Sequence, residues 1–206
     1  MAWRKWFVRG VVFTILAAGA AVVVLYQRWT DPAAVRGLVL AKLRAQFVGA
    51  AITVDSARLR LLGGISVEEV RLGRADDPEK KDFLHVPGAV LYHDKEKMLD
   101  GELALRKVEL QRPRLRLARD QDGRWNIQGI TGPFRPDLPL PTFVIRQGAI
   151  AFEDKGPGGT GLSLELTEVN LVFLNDPLPV ISFEGSARSE LAGLVTIQGS
   201  WQRVSG

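Results

Sequence analysis

From Ala51 to Gln198 apolar and polar residues alternate in short runs, the period of strands with one face in a core and the other in water. Ile52 and Val54 alternate with Thr53 and Asp55, and Leu59 and Leu61 with Arg58 and Arg60. Leu103 and Leu105 alternate with Glu102 and Ala104, Leu115 and Leu117 with Arg114 and Arg116, and Ile150 and Phe152 with Ala149, Ala151 and Glu153. The last third continues with Leu162, Leu164 and Leu166 against Ser163, Glu165 and Thr167. Ile181 and Phe183 then oppose Ser182 and Glu184, and Val195 and Ile197 oppose Thr196 and Gln198. In several runs the phase slips by one residue, as at Thr167-Glu168, which a β-bulge in a strongly curved sheet requires. Turn residues at Gly63-Gly64, Asp76-Asp77-Pro78, Pro87-Gly88, Asp122-Gly123, 155–159 and Asn175-Asp176-Pro177 separate the runs, predicting about ten strands. The proline-rich stretch 132–141 reads as an extended connector between two sheet halves.

Two segments before Ala51 follow other patterns. Asp31-Pro32 supplies an N-cap and a proline at the first helical position, opening a helix that runs to about Phe47 before Gly49 stops it. Val35, Leu38, Val39, Leu43 and Phe47 recur at helical spacing, with Arg36, Lys42, Arg44 and Gln46 between them. This pattern predicts a helix that plugs one end of a β core, in preference to one adsorbed on a membrane. Further upstream, residues 10–26 form an unbroken apolar run behind Arg4, Lys5 and Arg9. As a helix the run is about 25 Å long, enough for a short membrane span. A cleaved signal peptide has a shorter apolar middle that ends at small residues, whereas here the small residues 17–21 lie mid-run. An uncleaved anchor is therefore expected, with the N-terminus in the cytoplasm and the chain after Arg28 across the membrane. Trp3, Trp6, Tyr26 and Trp29 fall near the two interfaces. The expected organisation is a stub and anchor over 1–30, a capping amphipathic helix over 31–48 and a β-groove domain over 49–206.

Composition removes several classes of function. The chain has 206 residues, which leaves about 175 beyond the anchor, ample for a hydrophobic core. Without cysteine it can form no disulfide, thiol nucleophile or thiolate metal site, and it suits an oxidising compartment. Part of the net charge of +4 comes from the basic N-terminus, and the other bases are scattered among acids, so no nucleic-acid partner is indicated. His85, His93 and Asp94 lie close in sequence, but their spacing fits no metal or catalytic signature. There is no nucleophile elbow, P-loop or dinucleotide fingerprint. Asp120, Asp122 and Asp154 sit in or beside turns, where aspartate bonds to local backbone. Trp125 and Asn126 follow a hairpin turn and read as structural. Arg112, Arg114, Arg116, Arg119 and Arg124 form the densest basic stretch, and alternation assigns most of them to a solvated outer face. Neither an enzyme nor a cofactor or metal is expected.

A sheet with one apolar face must close, be covered, or hold something greasy, and one helix cannot cover ten strands. Two functions of different classes satisfy this. In the first, an apolar groove lined by Leu103, Leu105, Leu115, Leu117, Ile150, Phe152, Leu164, Leu166, Ile181 and Phe183 accepts lipid acyl chains. In the second, a closed, dry sheet acts as a membrane-anchored scaffold or assembly factor whose free strand edge recruits envelope proteins.

Several segments together carry a family resemblance: the anchor, the capped Asp31-Pro32 helix, the run Gly49 to Asp55, the stretch Leu110 to Ile127 with its proline-strand-Asp-Gly-Arg-Trp-Asn unit, and Phe143 to Asp154. They resemble the N-terminal region of AsmA-like proteins, over nearly the whole chain. The resemblance implies an inner-membrane protein of a double-membraned bacterium. Its periplasmic part is then a strongly curved, antiparallel, mainly β fold, a β-taco related to chorein-type bridge-like lipid transfer proteins. The implied cargo is phospholipid moving between the inner and outer membranes. AsmA-like proteins are usually longer, and strand pattern still runs from Leu194 to Trp201, so a short member or the front of a longer one is expected. Near Gly206 a strand-edge partner, or continuation of the same groove, is expected.

Overall fold

The computed structural model describes residues 31–60, 63–77, 81–94, 97, 104–130, 140–156, 161–174 and 180–202. The expected anchor, Leu103 and most of the proline-rich connector lie outside them. Among the described residues no helix is long and apolar enough to cross a membrane.

The first element is helix α1 (Pro32–Gln46), and it begins as its sequence dictates. Asp31 Oδ1 accepts the Ala33 N–H at 3.0 Å, satisfying a donor that lacks an intrahelical partner, and Pro32 occupies a position where no N–H is needed. Nine strands follow: β1 (Ala50–Leu59), β2 (Ile65–Arg74), β3 (Asp82–His93), β4 (Leu105–Gln111), β5 (Arg114–Arg119), β6 (Thr142–Asp154), β7 (Leu162–Leu174), β8 (Val180–Ser189) and β9 (Gly193–Gln202). They form one sheet in the order β1-β2-β3-β4-β6-β7-β8-β9, with β5 pairing both β3 and β6.

The sheet is mixed, which corrects the antiparallel expectation. β6 runs parallel to β4 and β5, because the chain returns through the segment after Arg119 and re-enters from the end where β4 began. β4 and β5 are in effect one strand broken at Arg112-Pro113, bridged to β6 by Arg112 N–H to Arg146 O and Ala149 N–H to Pro113 O, each 2.8 Å.

That break belongs to a crease crossing the sheet. Glu69, Arg112, Gln147 and Glu168 all have left-handed backbone, with φ of 52°, 50°, 54° and 49°. The phase of the inward-facing residues changes there in each strand: Ile52 and Val54 give way to Ala57, and Val67 gives way to Val70 and Leu72. The slip read at Thr167-Glu168 is one member of this row, with a register shift between Thr167 and Asn170. Pro87-Gly88, expected to be a turn, instead lies inside β3 at the crease. Glu68 pairs with Gly88 and Val70 with Val86, so Pro87 faces the left-handed Glu69 and need donate no ladder hydrogen bond. Asn170 pins the crease from β7: its Oδ1 accepts the Gln147 N–H at 3.1 Å and its Nδ2 donates to Glu168 O at 2.9 Å.

Away from the crease two apolar ladders cross the whole eight-strand path. One runs Leu59, Ile65, Leu91, Val108, Phe143, Phe173, Phe183 and then Gly199, each in register with the next. The other runs Ala57, Val67, Ala89, Leu110, Ile145, Leu171, Gly185 and Ile197. Over β1 to β3 this face is filled. Val35 and Val39 of α1, together with Ile130 from the loop after β5, pack on Ile52, Val54, Ala57, Ile65, Val67 and their neighbours, with Leu43 and Phe47 adding to them. Arg36 Nε donates to Val54 O, which ties the helix along the β1 edge. Leu38, grouped with the core stripe by spacing, is exposed, because it points about 100° away from the Val35–Val39 side of the helix.

Candidate functional site: an apolar furrow at the β6–β9 end

The same apolar face continues onto β6 to β9 without helical cover among the described residues. Phe143, Phe173 and Ile197 are 37%, 36% and 50% exposed, and Trp201 beside them 61%, whereas Ile65 and Val67, on the same ladders as the first three, are at most 2% exposed. Leu140, Pro141, Phe143, Ile145, Phe173, Ile181, Phe183 and Trp201 line a furrow of about 390 Å³. Among the described residues, no charged or hydrogen-bonding side chain other than the indole of Trp201 lines it.

Alternation places these residues. Phe143 faces Phe173, Phe173 faces Phe183, and Ile181 faces Trp201 across neighbouring strands, so all stand on one side. The rings of Phe173 and Phe183 lie 6.1 Å apart at 42°. The furrow floor depends on a glycine, and a second lies two residues further along β8 than Phe183, outside the furrow lining. A Cβ on Gly199 would lie 2.6 Å from Phe183 Cζ, so the ring covers the bare backbone of β9. Gly185 is closed in likewise by Leu171 Cδ1 at 2.7 Å and by Asn170 O at 2.8 Å.

The described residues assigned to the groove from sequence fall in three places, with Leu115 belonging to two of them. Ile181 and Phe183 line the furrow. Leu105 and Leu115 pack against the helix-covered core. Leu115, Ile150 and Leu166 are in register across β5, β6 and β7, as are Leu117, Phe152 and Leu164, on the far side of the crease from the furrow. Trp125 stacks on Phe152 there, with ring centroids 5.4 Å apart. Phe143, Ile145, Phe173 and Trp201 were not singled out from sequence, although the alternation Leu171-Val172-Phe173 beyond the slip carried the signal.

The opposite face carries the charge. Arg116 holds Glu153 there with bonds of 3.2 and 2.9 Å, while Arg119, at the end of the Leu115–Leu117 side of β5, lies 3.6 Å from Asp154, so the basic stretch is tied to β6 from both faces. Glu109 sits between Arg146 and Lys107, and its carboxyl is held below the ordinary glutamate range, chiefly by the Arg146 hydrogen bond. Arg116 lowers Glu153 in the same way. His85 Nε2 meets Glu69 Oε2 at 2.8 Å and is the leading cause of a lowered Glu69 carboxyl. His85 and His93 stand near opposite ends of β3, about 26 Å apart at strand rise, and do not converge. Asp120 Oδ1 accepts the Arg124 N–H at 2.8 Å, and Asp154 Oδ1 accepts the Gly156 N–H at 2.9 Å, both local turn bonds. Asn126 Nδ2 donates to Arg116 O at 2.7 Å and its Oδ1 accepts the Ala118 N–H at 3.0 Å, fastening the loop to β5. Among the described residues, no group of three or more histidines and carboxylates could hold a metal ion.

Comparison with protein-family models and with curated proteins finds no match for the chain.

Proposed function

We propose that this chain is an AsmA-like, membrane-anchored protein of a bacterial envelope, whose sheet takes phospholipid acyl chains into the β6–β9 furrow and supports their transfer between inner and outer membranes. One observation carries it: among the described residues, the two apolar ladders are sealed by helix α1 at one end of the sheet and open at the other. The furrow's 390 Å³ corresponds to about thirteen water volumes, and a methylene fills nearly the same space as a water. At roughly 0.8 kcal/mol per buried methylene, a chain filling it gains on the order of 10 kcal/mol as an upper bound. The bilayer offers a comparable gain, so a lipid can exchange between the two without a large net cost. Seven strand spacings of about 4.8 Å make the sheet about 34 Å wide, less than a bilayer with headgroups, so the domain alone is a station for lipid and not a full bridge.

The test is site-specific photo-crosslinking in membranes, with a benzophenone side chain at Phe183 and, as control, at outward-facing Ser182. Phospholipid attached at Phe183 and absent at Ser182 supports the groove. Equal labelling, or none at Phe183, refutes it.

A second role, recruitment of an envelope protein by strand addition, is favoured by β9. This edge strand spans ten residues and carries no charged side chain to deter pairing. A stable complex that survives removal of lipid and is lost on placing proline at Thr196 would identify it.

A further inference from the structure

Helix α1 carries two separate apolar stripes. Val35, Val39 and Leu43 face the sheet. At 100° per residue, Ala34, Leu38, Ala41 and Ala45 fall together on a second stripe centred about 130° round the helix from the first, and all four are exposed. Lys42 and Arg44 flank that side to left and right, also exposed, and the helix contains no acidic residue. Helical faces turned to water are ordinarily polar, whereas an apolar face rimmed by cations complements a layer of anionic lipid headgroups. The chain places the helix beside such a layer. Four residues separate the apolar run 10–26 from Asp31, so even fully extended they hold the helix start within about 20 Å of the end of that run.

We propose that α1 lies on the anionic bilayer surface through Leu38, Ala41 and Ala45, with Lys42 and Arg44 on headgroup phosphates, while its other face plugs the sheet. The proposal rests on the membrane attachment inferred above. Plug and membrane contact are not alternatives, because they use different sides of one helix, and together they fix how the sheet stands on the membrane.

Because the chain has no cysteine, single spin labels can be placed cleanly. Full-length protein carrying Ala45→Cys, or Thr196→Cys on the outer sheet face, is reconstituted in phosphatidylcholine vesicles with and without phosphatidylglycerol. Collision with oxygen and with a water-soluble nickel chelate then reports depth. The label at 45 is expected to be immersed only with phosphatidylglycerol, and the label at 196 to remain aqueous. Lys42→Gln with Arg44→Gln is expected to lower the immersed-to-aqueous ratio at 45 by about 30-fold, the factor two basic side chains contribute near an anionic surface. Both positions are exposed, so unchanged thermal unfolding shows that the fold is retained. Equal water access at 45 with and without phosphatidylglycerol overturns the proposal. So does label–label dipolar broadening independent of lipid, which would instead assign this face to a second copy of the chain. Protein washed off the vesicles at high pH overturns the attachment itself, a result separate from either label outcome.

Discussion

Gly199 under the furrow and Gly185 beside it give a sharp contrast, because the same substitution meets a side chain at one and backbone at the other. In Gly199→Ala the new Cβ would meet Phe183 Cζ at 2.6 Å and the ring's Cε atoms at 3.1 and 3.2 Å. Ordinary carbon contacts are about 3.5–4.0 Å, so the ring tip must retreat by about 1 Å, and the open furrow gives it room. An off-rotamer ring costs about 0.5–1.5 kcal/mol, and alanine in place of a strand glycine returns about 0.5–1 kcal/mol. The expected change in stability is thus under about 1 kcal/mol, but the displaced ring now occupies lipid space. In Gly185→Ala the Cβ meets Asn170 O at 2.8 Å and Leu171 Cα at 3.4 Å, and backbone cannot swing aside. Overpacking there costs about 2 kcal/mol, or about 4–8 °C in melting temperature for a domain of this size. Thermal unfolding in detergent and phospholipid per protein by mass spectrometry read the two quantities. Gly199→Ala should melt near wild type with reduced lipid, and Gly185→Ala should melt clearly lower. If both melt alike, or if Gly199→Ala keeps its full lipid, the ring over Gly199 does not form the furrow floor.

Asn170→Ala removes two hydrogen bonds to bulged backbone and should cost about 2 kcal/mol in urea unfolding, more than a neighbouring surface substitution such as Thr167→Ala. Asp31→Ala should cost about 1 kcal/mol through loss of the α1 cap, with Asp31→Ser restoring most of it. Val39→Ala, at a position 2% exposed, should cost about 2 kcal/mol by thinning the plug, while lipid retained at the distant furrow stays near wild type. Glu109 has a lowered carboxyl pKa in the folded state, so its contribution is present above the ordinary glutamate range and is lost as pH falls through the folded value. Wild type should therefore lose its stability advantage over Glu109→Gln on acidification from about pH 5 to about pH 3, followed by chemical unfolding.

Much of this arrangement is written in local residue order. Asp31-Pro32 determines where α1 begins, alternation identifies which side of each strand is apolar, and the slip at Thr167-Glu168 marks one point of the crease. Alternation is silent about strand direction and partner, which is why the parallel pairing of β4 and β5 with β6 was not foreseen. It is also silent about what covers an apolar face. Leu115 and Phe183 look alike in sequence, yet one packs against the helix-covered core and the other lines an open furrow. Leu38 shows the same limit on the helix, since spacing alone admitted it to the stripe that its direction excludes. Pro87-Gly88 misled because the usual turn signal here serves a crease inside a strand.

Native mass spectrometry of the full chain, released from membranes in mild detergent, tests the central claim most directly. The account predicts phospholipid adducts on the wild-type protein that disappear in Phe183→Asp with Trp201→Asp while the fold persists, since both positions border the open furrow. Wild-type protein free of lipid, or adducts unaffected by the double substitution, would contradict it.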